Sequence, residues 1–167
     1  MNGNIVTFTK RDRAGIDQLV SSKNFTHLET TCTSGVTDFS SMFSYSSFTG
    51  DISSWDSSNV TDMSSIFHGA KVFNAPIGMW DTSQVTDLDY AFDATEAFDQ
   101  PIGEWDTSSV VTMQNTFSNS KFNQDINDWD VSKVKIMMST FATSDFNKDL
   151  SKWNTSNVIN MEGIFLN

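Results

Sequence analysis

With a single cysteine, Cys32, among 167 residues, the chain cannot be stapled by an internal disulfide framework. Proline is almost as scarce: Pro76 and Pro101 are the only two. Cations are few as well, ten Lys and Arg against 21 Asp and Glu, for a net charge of −11. A surface so acidic repels polyanions, which argues against direct nucleic-acid binding. No apolar run reaches the roughly 18 residues that a spanning helix needs, so membrane insertion is not expected. The N-terminal MNGNIVTFTKRDR has no basic segment leading into an apolar one, which points to the absence of a secretory signal and to the cytoplasm. Catalytic side chains are thin too. His27 and His68 are the only histidines, and neither is joined in sequence by a thiol or a recurrent base. No enzyme, metal or cofactor is therefore expected.

What the chain does have is a repeat. All five tryptophans, Trp55, Trp80, Trp105, Trp129 and Trp153, open near-copies of one segment, as in Trp80-Asp81-Thr82-Ser83-Gln84-Val85 and Trp105-Asp106-Thr107-Ser108-Ser109-Val110. Val36, Val60, Val85, Val110, Val134 and Val158 are spaced by 24 or 25 residues. A period in this range is the signature of a stacked array, in which each unit buries its apolar face only against its neighbours.

Three residues after each valine comes Phe39, Met63, Leu88, Met113, Met137 or Met161, and seven after it Phe43, Phe67, Phe92, Phe117, Phe141 or Phe165. Spacing of i, i+3 and i+7 predicts a helix of about two turns with these side chains inward. The Asp and Ser before each valine read as its N-cap. A second aromatic, at Phe48, Phe73, Phe98, Phe122 and Phe146, precedes an aliphatic residue at Ile52, Ile77, Ile102, Ile126 and Leu150. That second segment, ending Asp-Ile-x-x-Trp, reads as a short strand able to pair in parallel with its copies. The ladder of Trp55, Trp80, Trp105, Trp129 and Trp153 with Phe67, Phe92, Phe117 and Phe141 is then the main source of stability. The fold class expected is an α/β repeat solenoid, with one short parallel strand and one short helix per unit of 24 to 25 residues.

Residues 1–33 lack the repeat and read as an N-terminal cap: a strand over 4–9, a helix over 10–22 with Ile16, Leu19 and Val20 on one stripe, and an extended stretch over 25–32. Residues 34–167 supply about five and a half units. Residues 1–23 carry Lys10, Arg11, Arg13 and Lys23 against Asp12 and Asp17, and this balance of +2 leaves −13 on residues 24–167. The chain stops two residues after Phe165, and this uncovered C-terminal end leads us to expect self-association through it.

Val-Thr-Asp-Met-x-x-x-Phe followed by Phe-Asn-x-x-Ile-x-x-Trp-Asp-x-Ser resembles the BspA-type leucine-rich repeat of mycoplasma and other bacterial surface proteins, over residues 34–167. The resemblance implies a leucine-rich-repeat-like solenoid that serves attachment or protein recognition at a bacterial cell surface. Candidate contacts are the exposed flanks of the predicted strand: Asp51, Ser53, Met79, Glu104, Asp125, Asn127, Asp149 and Ser151. They suit a protein partner with a basic or polar surface. Two other functions fit the same charge. One is an acidic inhibitor that imitates nucleic acid and blocks a nucleic-acid-binding enzyme; the other is a structural, oligomerising piece. The Asp column at Asp56, Asp81, Asp106 and Asp130 lacks the acidic spacing of a calcium loop, so helix capping is its expected role.

Overall fold

The computed structural model describes residues 6–167, so residues 4 and 5 of the strand expected over 4–9 lie outside the described residues. The N-terminal segment contains β1 (Thr9–Lys10), α1 (Arg13–Ser21), a single 3-10 turn at Phe25–His27 and β2 (Thr31–Cys32). β1 and β2 pair in parallel, Thr9 with Thr31 and Lys10 with Cys32. Asp12 caps α1 by accepting the Gly15 N–H, and Ile16 and Leu19 bury its inner face. Arg13 then ties the helix to the first repeat unit through the carboxylate of Asp38 at 3.0 Å and the carbonyl of Ser40 at 2.6 Å.

The repeat units lie side by side, joined by parallel bridges from Asp38 to Asp62, Asp87, Thr112, Ile136 and Asn160. These residues follow each valine by two. The parallel ladder therefore runs along the Val-Thr-Asp segment, where a helix was expected, and not along Asp-Ile-x-x-Trp. The latter is a turn, closed by Trp N–H to Ile carbonyl bonds such as Trp80 to Ile77 at 3.1 Å.

The expected two-turn helix gives way to stacked turns. With valine as position 0, backbone N–H groups at positions 3, 5, 7 and 9 each donate to the next unit, as Met63, Ser65, Phe67 and Gly69 do to Asp87, Asp89, Ala91 and Asp93. Those at positions 6 and 8 close turns within the unit, Ile66 to Met63 and His68 to Ser65. Position 5 holds Ser41, Ser65, Tyr90, Asn115 and Ser139, and position 9 holds Tyr45, Ala94, Asn119 and Thr143, all at φ between 52 and 58°. Positive φ at the third residue of a turn is the type II pattern and is incompatible with a right-handed helix. The physical reason is bond supply. A helix this short leaves about four N–H groups unpaired at its start, whereas turns that alternate internal and external donors use every neighbour.

Inside, the ladder residues stack. Trp55 on Trp80 has centroids 6.5 Å apart and planes 5° apart; Trp105 on Trp129 has 6.2 Å and 2°. Phe67, Phe92, Phe117 and Phe141 follow one another at 5.5 to 5.7 Å. Each indole N–H donates to the carbonyl one unit back, Trp80 to Ile52, Trp105 to Ile77, Trp129 to Ile102 and Trp153 to Ile126, at 3.0 to 3.1 Å. The tryptophan column is therefore a hydrogen-bond ladder as well as a packing one, since a buried indole N–H needs a partner.

Candidate functional site

The eight candidate contact residues fall into two groups. Asp51, Asp125 and Asp149 each accept the backbone N–H two residues on, from Ser53, Asn127 and Ser151, at 2.8 to 2.9 Å. The three aspartate side chains close Asx turns, so much of their chemistry is spent on the backbone. Asn127 also reaches across to Asp149 at 3.3 Å. Met79, 89% exposed, and the exposed Glu104 are different. They stand in units where proline, Pro76 or Pro101, replaces the turn-closing aspartate and glycine follows the isoleucine. A Cβ on Gly78 would lie 2.4 Å from the Pro101 carbonyl, and one on Gly103 2.6 Å from that of Asp125, so close approach of the next unit demands glycine at both. Met79 and Glu104 follow those glycines and make no hydrogen bond or ion pair among the described residues.

The Asp56, Asp81, Asp106 and Asp130 column makes the same Asx turn. Each carboxylate accepts the N–H of Ser58, Ser83, Ser108 or Ser132 at 2.9 to 3.1 Å. These are turn caps, and the helix N-caps expected from sequence have no helix to serve. Hydrogen bonds from the serine side chain, then its backbone, hold Asp56, Asp106 and Asp130 below the usual carboxylate range. Asp51 and Asp149 are lowered by the same two kinds of bond, led by the Ser53 backbone in one and the Ser151 side chain in the other. Asp51, Asp56, Asp106, Asp130 and Asp149 are thus held by their turns and ionised at neutral pH.

A third column of acids behaves differently along the ladder. Burial disfavours ionisation of Asp38, but hydrogen bonds from Ser40 and the Arg13 charge prevail and its carboxyl sits low. Asp87, half-buried, is pushed up, first by burial and then by the charges of Asp89 and Asp62. Asp89 itself accepts the Gln114 N–H at 2.7 Å.

Other polar features carry no sequence signature that the repeat alone announces. Asn74, Asp99 and Asn123, each following the second aromatic, accept the backbone N–H of Asp99, Asn123 and Asn147 from unit to unit at 2.8 to 3.1 Å. Lys71–Glu96, Lys121–Asp145 and Lys152–Asp128 are exposed ion pairs between neighbouring units. His68 was set aside in sequence for want of a partner, and the structure supplies two: Asp93 Oδ2 at 3.0 Å from Nδ1 and the Tyr45 hydroxyl at 2.7 Å from Nε2. Nδ1 has no well-aligned hydrogen bond, so Asp93 stands beside it without bonding it. Aligning the units at position 8 finds this pair, because His68 and Asp93 occupy the same position one unit apart. Cys32 is half-buried and the His27 imidazole bonds Thr26 and Asn24, so neither joins this cluster. Among the described residues no helix is long and apolar enough to cross a membrane.

No curated protein and no solved structure matches the chain. The family model described as "Mycoplasma protein of unknown function, DUF285" matches twice, over residues 16–121 and 73–167, the overlap being what a tandem repeat gives when it is matched in two registers. Between them the matches span both the stacked turns and the ladder columns, and the chain belongs to that family.

Proposed function

We propose that this chain is a non-enzymatic recognition module: a BspA-type, leucine-rich-repeat-like solenoid that presents a fixed acidic face to a protein partner with a basic surface. The observation that carries the reading is the array of Asx turns. Asp51, Asp56, Asp106, Asp130 and Asp149 are exposed or only partly covered, yet their orientation is set by turn hydrogen bonds. Charges already fixed lose little side-chain entropy on binding, which favours a complementary partner over bulk solvent. Met79 and Glu104 break the array with an apolar side chain and an untied carboxylate, and supply the local contacts that a uniform charge lacks.

The test is capture from host lysate at low and high salt, with Met79→Lys and Glu104→Lys as paired variants. Both side chains are exposed, so each substitution leaves stability within about 0.5 kcal/mol. Salt-sensitive capture of a basic surface protein, weakened by both variants, is the expected result. Capture of a nucleic-acid-binding enzyme, displaced by added DNA, would instead favour mimicry. Binding indifferent to both variants and to salt would overturn the acidic-face reading.

A further inference from the structure

The two tyrosines of the chain, Tyr45 and Tyr90, both occupy left-handed backbone positions, at φ 53° and 58°, and both set a ring edge-on to His68. Such a backbone is costly for a bulky side chain, and the other residues at position 9 are Gly69, Ala94, Asn119 and Thr143. Tyr45 is nevertheless held there from several sides. Its hydroxyl meets His68 Nε2 at 2.7 Å, and Asp93, itself gripped by Asn119 at 3.2 Å, stands against the far nitrogen of that imidazole. A Cβ on Gly69 would fall 2.5 Å from the Tyr45 ring, so glycine there makes room for it. Three consecutive units thus fix one aromatic ring that remains 74% exposed. A ring clamped at its hydroxyl end and bare over most of its surface is a platform; packing does not account for it.

The platform also borders a concavity. Tyr45, Phe25, Lys23, Ser21, Ser44 and Ser47 line a hollow of about 300 Å³ between the end of α1 and the first repeat unit. That volume is at the small end of ligand pockets, about 300 to 1,000 Å³, and suits one ring rather than a peptide. The Ser44 and Ser47 hydroxyls and the Lys23 ammonium make no side-chain hydrogen bond or ion pair among the described residues. We propose that this hollow is a saccharide subsite: the apolar face of a pyranose stacks on Tyr45, its hydroxyls bond Ser44 and Ser47, and Lys23 favours a sugar bearing a carboxylate. Amphipathic rings with one wet edge are suited to such ligands, and an ammonium with no acid of its own selects an anion even on an acidic protein. The site is distant in sequence from Met79 and Glu104 and does not depend on the protein-binding reading.

The experiment is saturation-transfer NMR on the full chain with glucuronic acid and with methyl glucoside. Transfer to the pyranose protons of both sugars is expected, with tighter binding of the uronate. Tyr45→Asn, an exchange the column tolerates at Asn119, is expected to weaken binding about tenfold while the melting temperature holds. Tyr45→Phe, which keeps the ring and loses the bond to His68, is expected to bind more weakly than the wild type and more tightly than Tyr45→Asn. Lys23→Asn removes the preference for the uronate and leaves the neutral sugar as it was. No transfer from the wild-type chain to either sugar up to about 50 mM would overturn the proposal, as would undiminished binding by a folded Tyr45→Asn.

Discussion

Replacing Ser65 by glycine should stabilise this protein, and the sign of that change distinguishes stacked turns from a helix. Ser65 sits at φ 56° with its N–H donated to Asp89 at 2.7 Å in the next unit. A left-handed conformation costs an ordinary residue about 1 to 2 kcal/mol, which glycine escapes. Glycine gives back about 0.5 to 1 kcal/mol through the greater freedom of its unfolded chain. The balance is a stabilisation of up to about 1.5 kcal/mol, centred on about 0.75, and for a chain of this length each kcal/mol moves the melting temperature by about 2 to 4 °C. In a helix the same substitution would destabilise, by about 0.5 kcal/mol relative to serine. Thermal melts followed by fluorescence of the buried tryptophans read the difference directly, and Ser139→Gly, at φ 54° in the same column, provides a second measurement. Ser65→Val should lower the melting temperature, since a branched side chain is worst placed at positive φ. A fall with both glycine variants would refute the turn geometry.

Trp105→Phe removes the bond to the Ile77 carbonyl and part of a buried ring; an H-bond loss of about 1 kcal/mol plus the lost contact should appear in urea melts, and Trp105→Ala should cost about 3 to 5 kcal/mol. Ser57, buried without a partner for its hydroxyl, stands in a column where Thr33, Thr82 and Thr107 reach the next unit's Asp carbonyl at 2.8 to 3.1 Å; Ser57→Thr should therefore stabilise by about 0.5 to 1.5 kcal/mol in the same assay. Asp87 titrates above the usual carboxylate value in the folded chain, so its contribution is complete below the unfolded value of about 3.9 and is lost as pH rises through the folded one. Asp87→Asn, which keeps the acceptor for the Asp89 N–H, should thus raise the melting temperature near neutral pH and have no such effect in acid. Asp106 is lowered, so its contribution is present above the unfolded value and fades as pH falls, and Asp106→Asn should be destabilising at neutral pH and neutral in acid.

The inward columns are legible from spacing alone, because tryptophan, valine, methionine and phenylalanine recur with the period and bury together: Trp105, Val110, Met113 and Phe117 are all at most 4% exposed. The backbone that carries them is not. Positions 0, 3 and 7 face inward in a two-turn helix and also in two linked type II turns, so hydrophobic periodicity cannot separate the two. The signal that can is the outward column. Position 5 offers Ser41, Ser65, Tyr90, Asn115, Ser139 and Gly163, and position 9 includes Gly69 and Asn119, residues that suit left-handed backbone and weaken a helix interior. The strand was misplaced for a related reason. Asp-Ile-x-x-Trp has strand composition, but its aspartate closes a turn and its isoleucine carbonyl is committed to an indole.

This division of labour also limits where recognition can reside. Most acids of the repeat are spoken for: those before the isoleucine and after the tryptophan close turns, while Glu96, Asp128 and Asp145 pair with lysines of neighbouring units. Substituting any of them perturbs the ladder as well as the surface, so a binding defect there would be ambiguous. Met79, Glu104 and Tyr45 are free of that ambiguity, because each stands where its counterparts in the other units differ and none bears a ladder hydrogen bond through its side chain to the backbone. Fixed register then works in their favour. Each unit is locked to the next by backbone bonds, so Met79 and Glu104 keep their separation without help from their own packing, while Tyr45 is held in addition by His68. They can therefore change with the partner while the columns beneath stay constant, and variants at these positions should move affinity without moving stability.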